Sequence, residues 1–301
     1  MRVAAVDCGT NSVRLLVRDL PGAELHREMR IVRLGEGVDR TGSLAPQAIS
    51  RTRDALLDYA TVCTQLAVER IRMVATSATR DAANRADFVA MVVEVLGVEP
   101  EVISGDEEAA LSFRGATVGL DAADGPFLVM DIGGGSTELV LGTTEVEAAR
   151  SVDVGCVRLT ERHLVTDPPT RDEIAAATAD VDAAILSALE VVPAGRARTA
   201  VGLAGSVTTV AALALELPSY QPERIHLSRI PRTQVHAITE DLLAMSREQR
   251  ARLPVMHPGR VDVIGGGALV LDRAMALLSL EDVVVSESDI LDGIALSLGD
   301  T

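Results

Sequence analysis

Short apolar runs flank two turns of small residues along the chain. Residues 3–6 and 15–17 are apolar and enclose the stretch from Asp7 to Arg14, and residues 127–130 and 139–141 enclose the stretch from Asp131 to Glu138. Apolar runs of this length, bounded by glycine and small polar residues, are typical of strands joined by a tight turn. The pattern therefore predicts two β-hairpins, one near the N-terminus and one near the middle of the chain.

Longer segments show the helical spacing of apolar residues and alternate with further apolar runs that are typical of strands. The pattern predicts helices over residues 46–70, 85–96, 106–116, 170–191 and 289–298. It predicts strands over residues 71–75, 98–103, 150–157 and 199–203. We expect Asp106 to cap the third helix, and Thr170 with Glu173 is the signature of a capping box at the fourth. Strands that alternate with helices indicate an α/β fold.

The two hairpin stretches align residue by residue. The aligned pairs are Asp7 with Asp131, Gly9 with Gly133, Ser12 with Ser136, and Arg14 with Glu138. Such an internal repeat indicates two similar halves, each of which offers one turn to a shared cleft. We expect a first domain over residues 1–119 and a second over residues 120–285, with a C-terminal helix at about 286–301 that packs back on the first domain.

The composition of the second turn suits an anionic ligand. Three consecutive glycines, Gly133 to Gly135, leave backbone N–H groups uncovered by side chains, and such a turn can wrap a phosphate. Ser136 and Thr137 add hydroxyl donors. Asp131 and Glu138, at either end of the turn, are the hard oxygen ligands that Mg²⁺ prefers. The alternative is a hairpin whose glycines only make the bend, and the two flanking acids argue against that simpler interpretation.

Two further segments place polar groups at predicted helix starts. Asp106, Glu107 and Glu108 begin the third helix. Acids there complement the helix dipole, which is sufficient to explain one of them, but a carboxylate held at a helix start can also orient a water molecule. The strand over residues 199–203 leads into Gly205, Ser206 and the hydroxyl residues that follow, which predicts a third anion-binding helix start.

Composition excludes several functional classes. The chain has 301 residues and a net charge of −16, which argues against a nucleic-acid binder, since that function needs a basic surface. All 28 Lys and Arg positions are arginines. This excludes a P-loop nucleotide-binding site, because that site requires a lysine. Three scattered cysteines suit a reducing compartment. With no apolar run of membrane-spanning length and no signal peptide, we expect a cytoplasmic protein without a membrane partner.

The motifs together resemble the exopolyphosphatase and guanosine pentaphosphate phosphohydrolase family, in its short two-domain form. The stretches that carry the resemblance cover residues 7–15, 75–80, 103–109, 131–139, 155–161 and 204–206. Each stretch alone is unspecific, but the combination spans nearly the whole chain. The resemblance implies an α/β fold of two ribonuclease-H-like (actin-like ATPase) domains that face each other across a central cleft.

The resemblance also implies roles for individual residues. Glu108, the second glutamate of its motif, would be the base that activates water. Asp131 and Glu138, together with Asp7, would hold Mg²⁺, with Mn²⁺ as an alternative. The residues that would cradle phosphates are Thr10, Asn11, Ser12, Arg80, Gly133, Gly134, Gly135, Ser136, Thr137, Gly205 and Ser206.

The expected activity is the hydrolysis of the terminal phosphoanhydride of inorganic polyphosphate, with release of orthophosphate. A first alternative is removal of the 5′-phosphate of guanosine pentaphosphate. A second is a small-molecule kinase, because the same fold also transfers phosphoryl groups from ATP. A non-enzymatic nucleotide switch is a third, and it would require a large partner-binding insert that the chain lacks. The family resemblance implies a homodimer.

Overall fold

The computed structural model describes residues 1–299, and the chain divides into two compact units. The first unit comprises Met1–Gly115 and the C-terminal segment that begins at Asp289, and the second comprises Ala116–Ser288. The changes of unit thus fall at 115/116 and 288/289, whereas the sequence placed them at 119/120 and 285/286. Residues 300 and 301 of the predicted C-terminal helix lie outside the described residues.

The first unit contains a five-stranded sheet in the order β3-β2-β1-β4-β5. Its strands are β1 (Arg2–Cys8), β2 (Ser12–Asp19), β3 (Glu24–Ile31), β4 (Arg70–Ala75) and β5 (Glu101–Val102). The central strand β1 pairs antiparallel with β2 and parallel with β4. The strand predicted over residues 98–103 is reduced to two residues, because Pro100 has no N–H to donate to the sheet.

Helices cover both faces of this sheet. They are α1 (Val38–Thr41), α2 (Pro46–Gln65), α3 (Ser77–Asp81), α4 (Arg85–Leu96), α5 (Gly105–Thr117) and α13 (Ile290–Ser297). Alternate residues of β1 face opposite ways, so that Ala4 and Val6 pack in the core with α2 and α4, while Ala5 packs with α13. This burial on both faces explains the continuous apolar run of β1. Helix α2 ends before the predicted residue 70, since Ala67 adopts a left-handed conformation.

The second unit repeats the sheet topology of the first. Its six strands lie in the order β10-β11-β9-β6-β7-β8. They are β6 (Phe127–Ile132), β7 (Thr137–Gly142), β8 (Val146–Val152), β9 (Thr199–Leu203), β10 (Arg229–Pro231) and β11 (Asp282–Val285). The order β8-β7-β6-β9-β11 corresponds to β3-β2-β1-β4-β5, with β10 added at the edge. The internal repeat seen in the two hairpin sequences therefore extends to whole sheets.

Seven helices among the described residues belong to the second unit. They are α6 (Cys156–His163), α7 (Arg171–Leu189), α8 (Ala204–Ala214), α9 (Pro222–Ile225), α10 (Arg232–Ala244), α11 (Arg247–Ala251) and α12 (Ile264–Leu277). The capping box of Thr170 and Glu173 at the start of α7 is confirmed. The strand predicted over residues 150–157 is wrong in its second half, where the chain turns into α6. No helix within residues 1–299 combines the length and apolar character needed to cross a bilayer.

Candidate active site

The turn between β1 and β2 is closed by a hydrogen bond from the N–H of Gly9 to the carbonyl of Ser12, at 2.9 Å. The segment that follows β3 stabilises this turn through backbone hydrogen bonds. Its N–H groups at Arg33 and Gly35 donate to the carbonyls of Asn11 and Thr10, each at 2.8 Å. Gly35 allows this approach, because a Cβ atom added there would lie 2.3 Å from the Cγ2 atom of Thr10. The predicted phosphate residues Thr10, Asn11 and Ser12 thus sit on a fixed turn.

Arg14, on the strand that leaves this turn, joins two buried carboxylates. Its Nε and Nη2 atoms donate to the Oδ2 atom of Asp7, at 3.0 and 2.7 Å, and its Nη1 donates to Asp289. Burial raises the pKa of Asp7, while the guanidinium of Arg14 works against that rise. Burial works to lower the pKa of Arg14, but the carboxylates of Asp289 and Asp7 raise it overall. Asp7, which we expected at the metal, is therefore already held by an arginine.

Arg80 and Glu108 lie in contact at the same end of the first sheet. Nη1 of Arg80, on α3, donates to the carboxylate Oε2 of Glu108 at 3.1 Å and to the carbonyl of Ile103 at 2.9 Å. Glu108 is buried, with 8% of its surface exposed, whereas its neighbours Asp106 and Glu107 on α5 are exposed. The structure thus brings together the predicted base and a predicted phosphate ligand.

The expected N-cap of α5 needs correction. The helix begins at Gly105, so Asp106 lies inside its first turn and does not cap it. Ser104 takes that role: its Oγ accepts from the N–H of Glu107, and the carboxylate of Glu107 accepts from the N–H of Ser104, both at 3.2 Å. This is a capping box. Helix capping thus accounts for the hydrogen bonds of Glu107. It does not involve Glu108, whose side chain is directed inward.

The second turn has the same closure as the first, from the N–H of Gly133 to the carbonyl of Ser136 at 3.0 Å. The first residues of α6 dock on its glycines. The N–H groups of Cys156 and Val157 donate to the carbonyls of Gly133 and Gly134, at 2.9 and 2.8 Å. These bonds fix the carbonyls of the turn on the α6 side, and they explain why the chain leaves the predicted strand at this point.

Thr137 and Gly155 complete the docking of α6. A Cβ atom added at Gly155 would lie 2.6 Å from the carbonyl oxygen of Gly134, so only glycine fits there. The hydroxyl of Thr137 is fully buried and donates to the carbonyl of Val154 at 2.6 Å. We therefore assign the Thr137 side chain a role in fixing the turn, rather than the phosphate contact that we expected of it.

Asp131 and Glu138 face each other across β6 and β7. They are directly paired in the antiparallel register, so their side chains emerge on the same face of the sheet. Both are buried, with 7% and 1% of their surface exposed. Ser151, the next neighbour on β8, donates its hydroxyl to Oε1 of Glu138 at 2.7 Å. Two oriented carboxylates suit Mg²⁺, which usually takes one or two protein carboxylates and fills its other positions with water and phosphate oxygens.

Within residues 1–299, no group of three or more His, Cys, Asp or Glu side chains is placed to share a metal ion. The carboxylate pair of Asp131 and Glu138 therefore fits an ion that also relies on substrate oxygens. It does not fit a closed protein cage of the kind that structural zinc requires.

The third predicted site lies at the start of α8, beside the end of β9. Asp131 pairs with Leu203 in the parallel register, so this helix starts next to the second turn. The guanidinium of Arg260 covers Gly205: a Cβ atom added at Gly205 would lie 2.4 Å from the Cζ atom of Arg260. Nη1 of Arg260 also donates to the hydroxyl of Thr209 at 3.1 Å. A basic side chain thus stands over the predicted phosphate residue.

Ser206 packs against α12 and α6. A Cβ atom added at Gly267 would lie 2.0 Å from the Oγ atom of Ser206. The glycine at this position of α12 therefore allows Ser206 to approach the helix closely. Burial raises the pKa of the Cys156 thiol, while a hydrogen bond with Ser206 and the charge of Arg260 work to lower it. Cys156 also docks on Gly133, so it connects the second turn with the start of α8.

Three of these groups were missed from the sequence. Ser151 could have been found, because it falls in a predicted strand next to the carboxylate pair. Arg14 was aligned with Glu138, but its contact with the C-terminal helix depends on the fold. Arg260 follows a Pro-Gly pair in a polar segment, and no pattern in the sequence indicates its approach to Gly205.

Comparison with known proteins places this chain among phosphatases. A sequence model of the Ppx/GppA phosphatase family matches residues 17–301. The chain is 53% identical to exopolyphosphatase 2 of Mycobacterium tuberculosis, over 99% of this chain and 98% of that protein. It is 30% identical to the guanosine-5′-triphosphate,3′-diphosphate pyrophosphatase of Aeromonas salmonicida, over 98% of this chain but 59% of that protein.

Solved structures agree with the sequence matches. An exopolyphosphatase-like protein, 43% identical, superposes with a TM-score of 0.96 over 100% of this chain and 99% of its own. The Ppx/GppA enzyme of Aquifex aeolicus, 30% identical, superposes with a TM-score of 0.82 over 99% of both chains. The predicted α/β fold of two ribonuclease-H-like halves is therefore confirmed.

Proposed function

The chain belongs to the Ppx/GppA phosphatase family, as its motifs predicted, and on that premise we propose that it is an exopolyphosphatase. It hydrolyses the terminal phosphoanhydride of inorganic polyphosphate and releases orthophosphate. The observation that carries this proposal is the buried carboxylate of Glu108, oriented by Arg80 at 3.1 Å. A buried, oriented carboxylate can act as the general base that activates a water molecule.

In the proposed reaction Glu108 accepts a proton from water as the water oxygen attacks the terminal phosphorus. The new P–O bond forms as the bond to the bridging oxygen breaks, and the shortened chain leaves with the electrons of that bond. Arg80 orients the carboxylate of Glu108 through the hydrogen bond at 3.1 Å. Arg80 also offers a charged donor to phosphate oxygens.

Charge compensation in this proposal comes from a bound metal ion and from backbone and hydroxyl donors. Asp131 and Glu138 would hold Mg²⁺, which when bound supplies positive charge for phosphate oxygens. Mn²⁺, with the same preference for oxygen ligands, is the alternative. Gly134 and Gly135 contribute backbone N–H donors, since the N–H of Gly133 already closes the turn, and Ser136, Gly205 and Ser206 contribute further phosphate contacts. Such preorganised donors stabilise the charge that develops during phosphoryl transfer.

Guanosine pentaphosphate is the second candidate substrate. Its support is the 30% identity to the Aeromonas salmonicida pyrophosphatase over nearly all of this chain. Its terminal phosphoanhydride is chemically equivalent to that of polyphosphate, so the same base and metal ligands serve both.

A small-molecule kinase is the third candidate, and it would transfer phosphate to an acceptor without free phosphate release. A homodimer, a cytoplasmic location and the absence of a nucleic-acid partner stay predictions.

The test is phosphate release from short polyphosphate, long polyphosphate and guanosine pentaphosphate, each in the presence of Mg²⁺. We compare the wild type with Glu108→Gln and with Asp106→Asn, which neutralises an exposed acid of the same helical turn. Loss of a general base costs about 10²–10⁴-fold in rate, so Glu108→Gln should fall by that amount while Asp106→Asn stays near wild type. Full turnover by Glu108→Gln on every substrate would refute the assignment. Release from the nucleotide alone would favour the second candidate.

A further inference from the structure

The two hairpins are equivalent in geometry but carry opposite charges at one of the two paired positions. Asp7 pairs with Arg14 across β1 and β2, just as Asp131 pairs with Glu138 across β6 and β7. Both turns are closed by the same backbone hydrogen bond, at 2.9 and 3.0 Å. At the position where the second hairpin has a carboxylate, the first therefore has a guanidinium.

The guanidinium of Arg14 is directed at carboxylates on two sides. Two of its nitrogens donate to a single oxygen of Asp7, and the third donates to Asp289. The side chains of Asp7 and Asp289 are 7% and 8% exposed, so their charges need a partner inside the protein. A cation that approached Asp7 beside this guanidinium would be repelled by it.

The buried carboxylates around Arg14 are paired with arginines. Asp292, also buried, pairs with Arg27 at 2.9 Å and lies 3.9 Å from Arg18. Three buried carboxylates are thus matched by three arginines, namely Asp7, Asp289 and Asp292 with Arg14, Arg18 and Arg27. Arg27 also pairs with the exposed Glu24 at 2.9 Å, so the three buried carboxylates each have an arginine partner, and none of them requires a divalent cation as its partner.

Arg14 also connects the first turn to the C-terminal helix. Asp289 caps α13, because its Oδ1 atom accepts from the N–H of Leu291 at 2.9 Å. Arg14 therefore binds the acid of the turn with one side of its guanidinium and the helix cap with the other. The same side chain balances charge and positions two elements.

We propose that Arg14 takes the place of a metal ion at the first turn. It compensates Asp7 and ties the turn to α13, so that Asp131 and Glu138 of the second unit hold the metal without Asp7. This replaces the expectation that Asp7 is a metal ligand. The proposal rests on the proposed function only in taking Asp131 and Glu138 as the metal-binding pair.

The first test is Mn²⁺ binding without substrate, followed by electron paramagnetic resonance of the free ion. The proteins are the wild type, Asp7→Asn and Glu138→Gln, each checked for folding by circular dichroism. We expect Asp7→Asn to keep its affinity within about twofold and Glu138→Gln to lose about tenfold or more, the range found when metal-site contacts are removed. Equal losses in the two variants, or no loss in Glu138→Gln, would overturn the proposal.

The second test removes the arginine. Arg14→Met leaves Asp7 and Asp289 facing each other without a cation, and we expect it to gain an additional, weaker Mn²⁺ site and a thermal midpoint that rises with Mn²⁺. Arg14→Lys should restore the wild-type stoichiometry, and adding Asp7→Asn to Arg14→Met should abolish the extra site. Arg14→Met with wild-type Mn²⁺ stoichiometry and no Mn²⁺-dependent midpoint would refute the replacement. Neither test measures turnover. Both can therefore be interpreted even if the protein does not have the proposed exopolyphosphatase activity.

Discussion

Arg80 donates from one nitrogen both to the carboxylate of Glu108, at 3.1 Å, and to the carbonyl of Ile103, at 2.9 Å. Ile103 lies in the short connection between β5 and α5, and its carbonyl helps to fix the guanidinium of Arg80. The carboxylate belongs to the first turn of that helix. The position of the base therefore depends on an arginine of a different helix, α3, and that dependence can be tested.

Replacing Arg80 with Gln should impair phosphate release, because the variant loses the charged donor that contacts both Glu108 and Ile103. Hydrogen bonds to charged groups contribute roughly 1.5–3 kcal/mol, which corresponds to about 10–100-fold in kcat/KM. The fall should include kcat, because Glu108 loses its orienting partner. The matched control is Arg85→Gln, an exposed arginine at the start of α4. Equal activity of the two variants would contradict the role of Arg80.

Ser151 should matter for metal affinity, although it need not touch the ion. Its hydroxyl holds Oε1 of Glu138 at 2.7 Å, and groups that orient a ligand typically contribute about 10–100-fold in metal affinity or activity. Ser151→Ala should therefore need about tenfold more Mg²⁺ for half-maximal phosphate release. Ser187→Ala, on the exposed face of α7, serves as the control. An unchanged Mg²⁺ requirement in Ser151→Ala would show that Glu138 does not depend on this contact.

Elements with strong local signals were predictable from the sequence. The helix predicted over residues 85–96 is found at Arg85–Leu96, and the strand over residues 199–203 at Thr199–Leu203. The first ends at a glycine with a left-handed conformation, and the second is a short apolar run that follows the polar residues Arg198 and Thr199. The two hairpins were found for the same reason: each is specified by adjacent residues.

Elements that depend on distant partners were not predictable. Strand β3 has no fully buried residue, its apolar face is interrupted by Arg27, and ion pairs such as Arg30 with Glu28 lie along it. Its position at the edge of the sheet explains this composition, since one of its edges has no neighbour. The contact of Arg14 with Asp289 spans 275 positions of sequence, so no local pattern contains it.

The capping box of α7 predicts a defined pH dependence of stability. A hydroxyl donated by Thr166 and the N–H of Thr170 lower the pKa of Glu173 from 4.5 to about 2. Because the folded form has the lower pKa, this stabilisation is present above about pH 4.5 and is lost as the pH falls toward about 2. The thermal midpoint of Glu173→Gln should thus lie below wild type at pH 7, and the difference should shrink at pH 3. A difference that does not change with pH would contradict the ionic contribution.

The crossing of α5 and α13 should tolerate no side chain at Gly115. A Cβ atom there would lie 1.7 Å from the carbonyl oxygen of Asp289, which belongs to the backbone and cannot rotate away. Alanine is the better helix former by roughly 0.5–1 kcal/mol, so local propensity alone predicts stabilisation. Overpacking costs about 1–3 kcal/mol, and we expect it to dominate and lower the free energy of unfolding in urea. Gly195→Ala, where nothing lies within 4 Å of the new atom, should stay within about 0.5 kcal/mol of wild type. If Gly115→Ala were as stable as this control, the two helices could not be packed backbone to backbone.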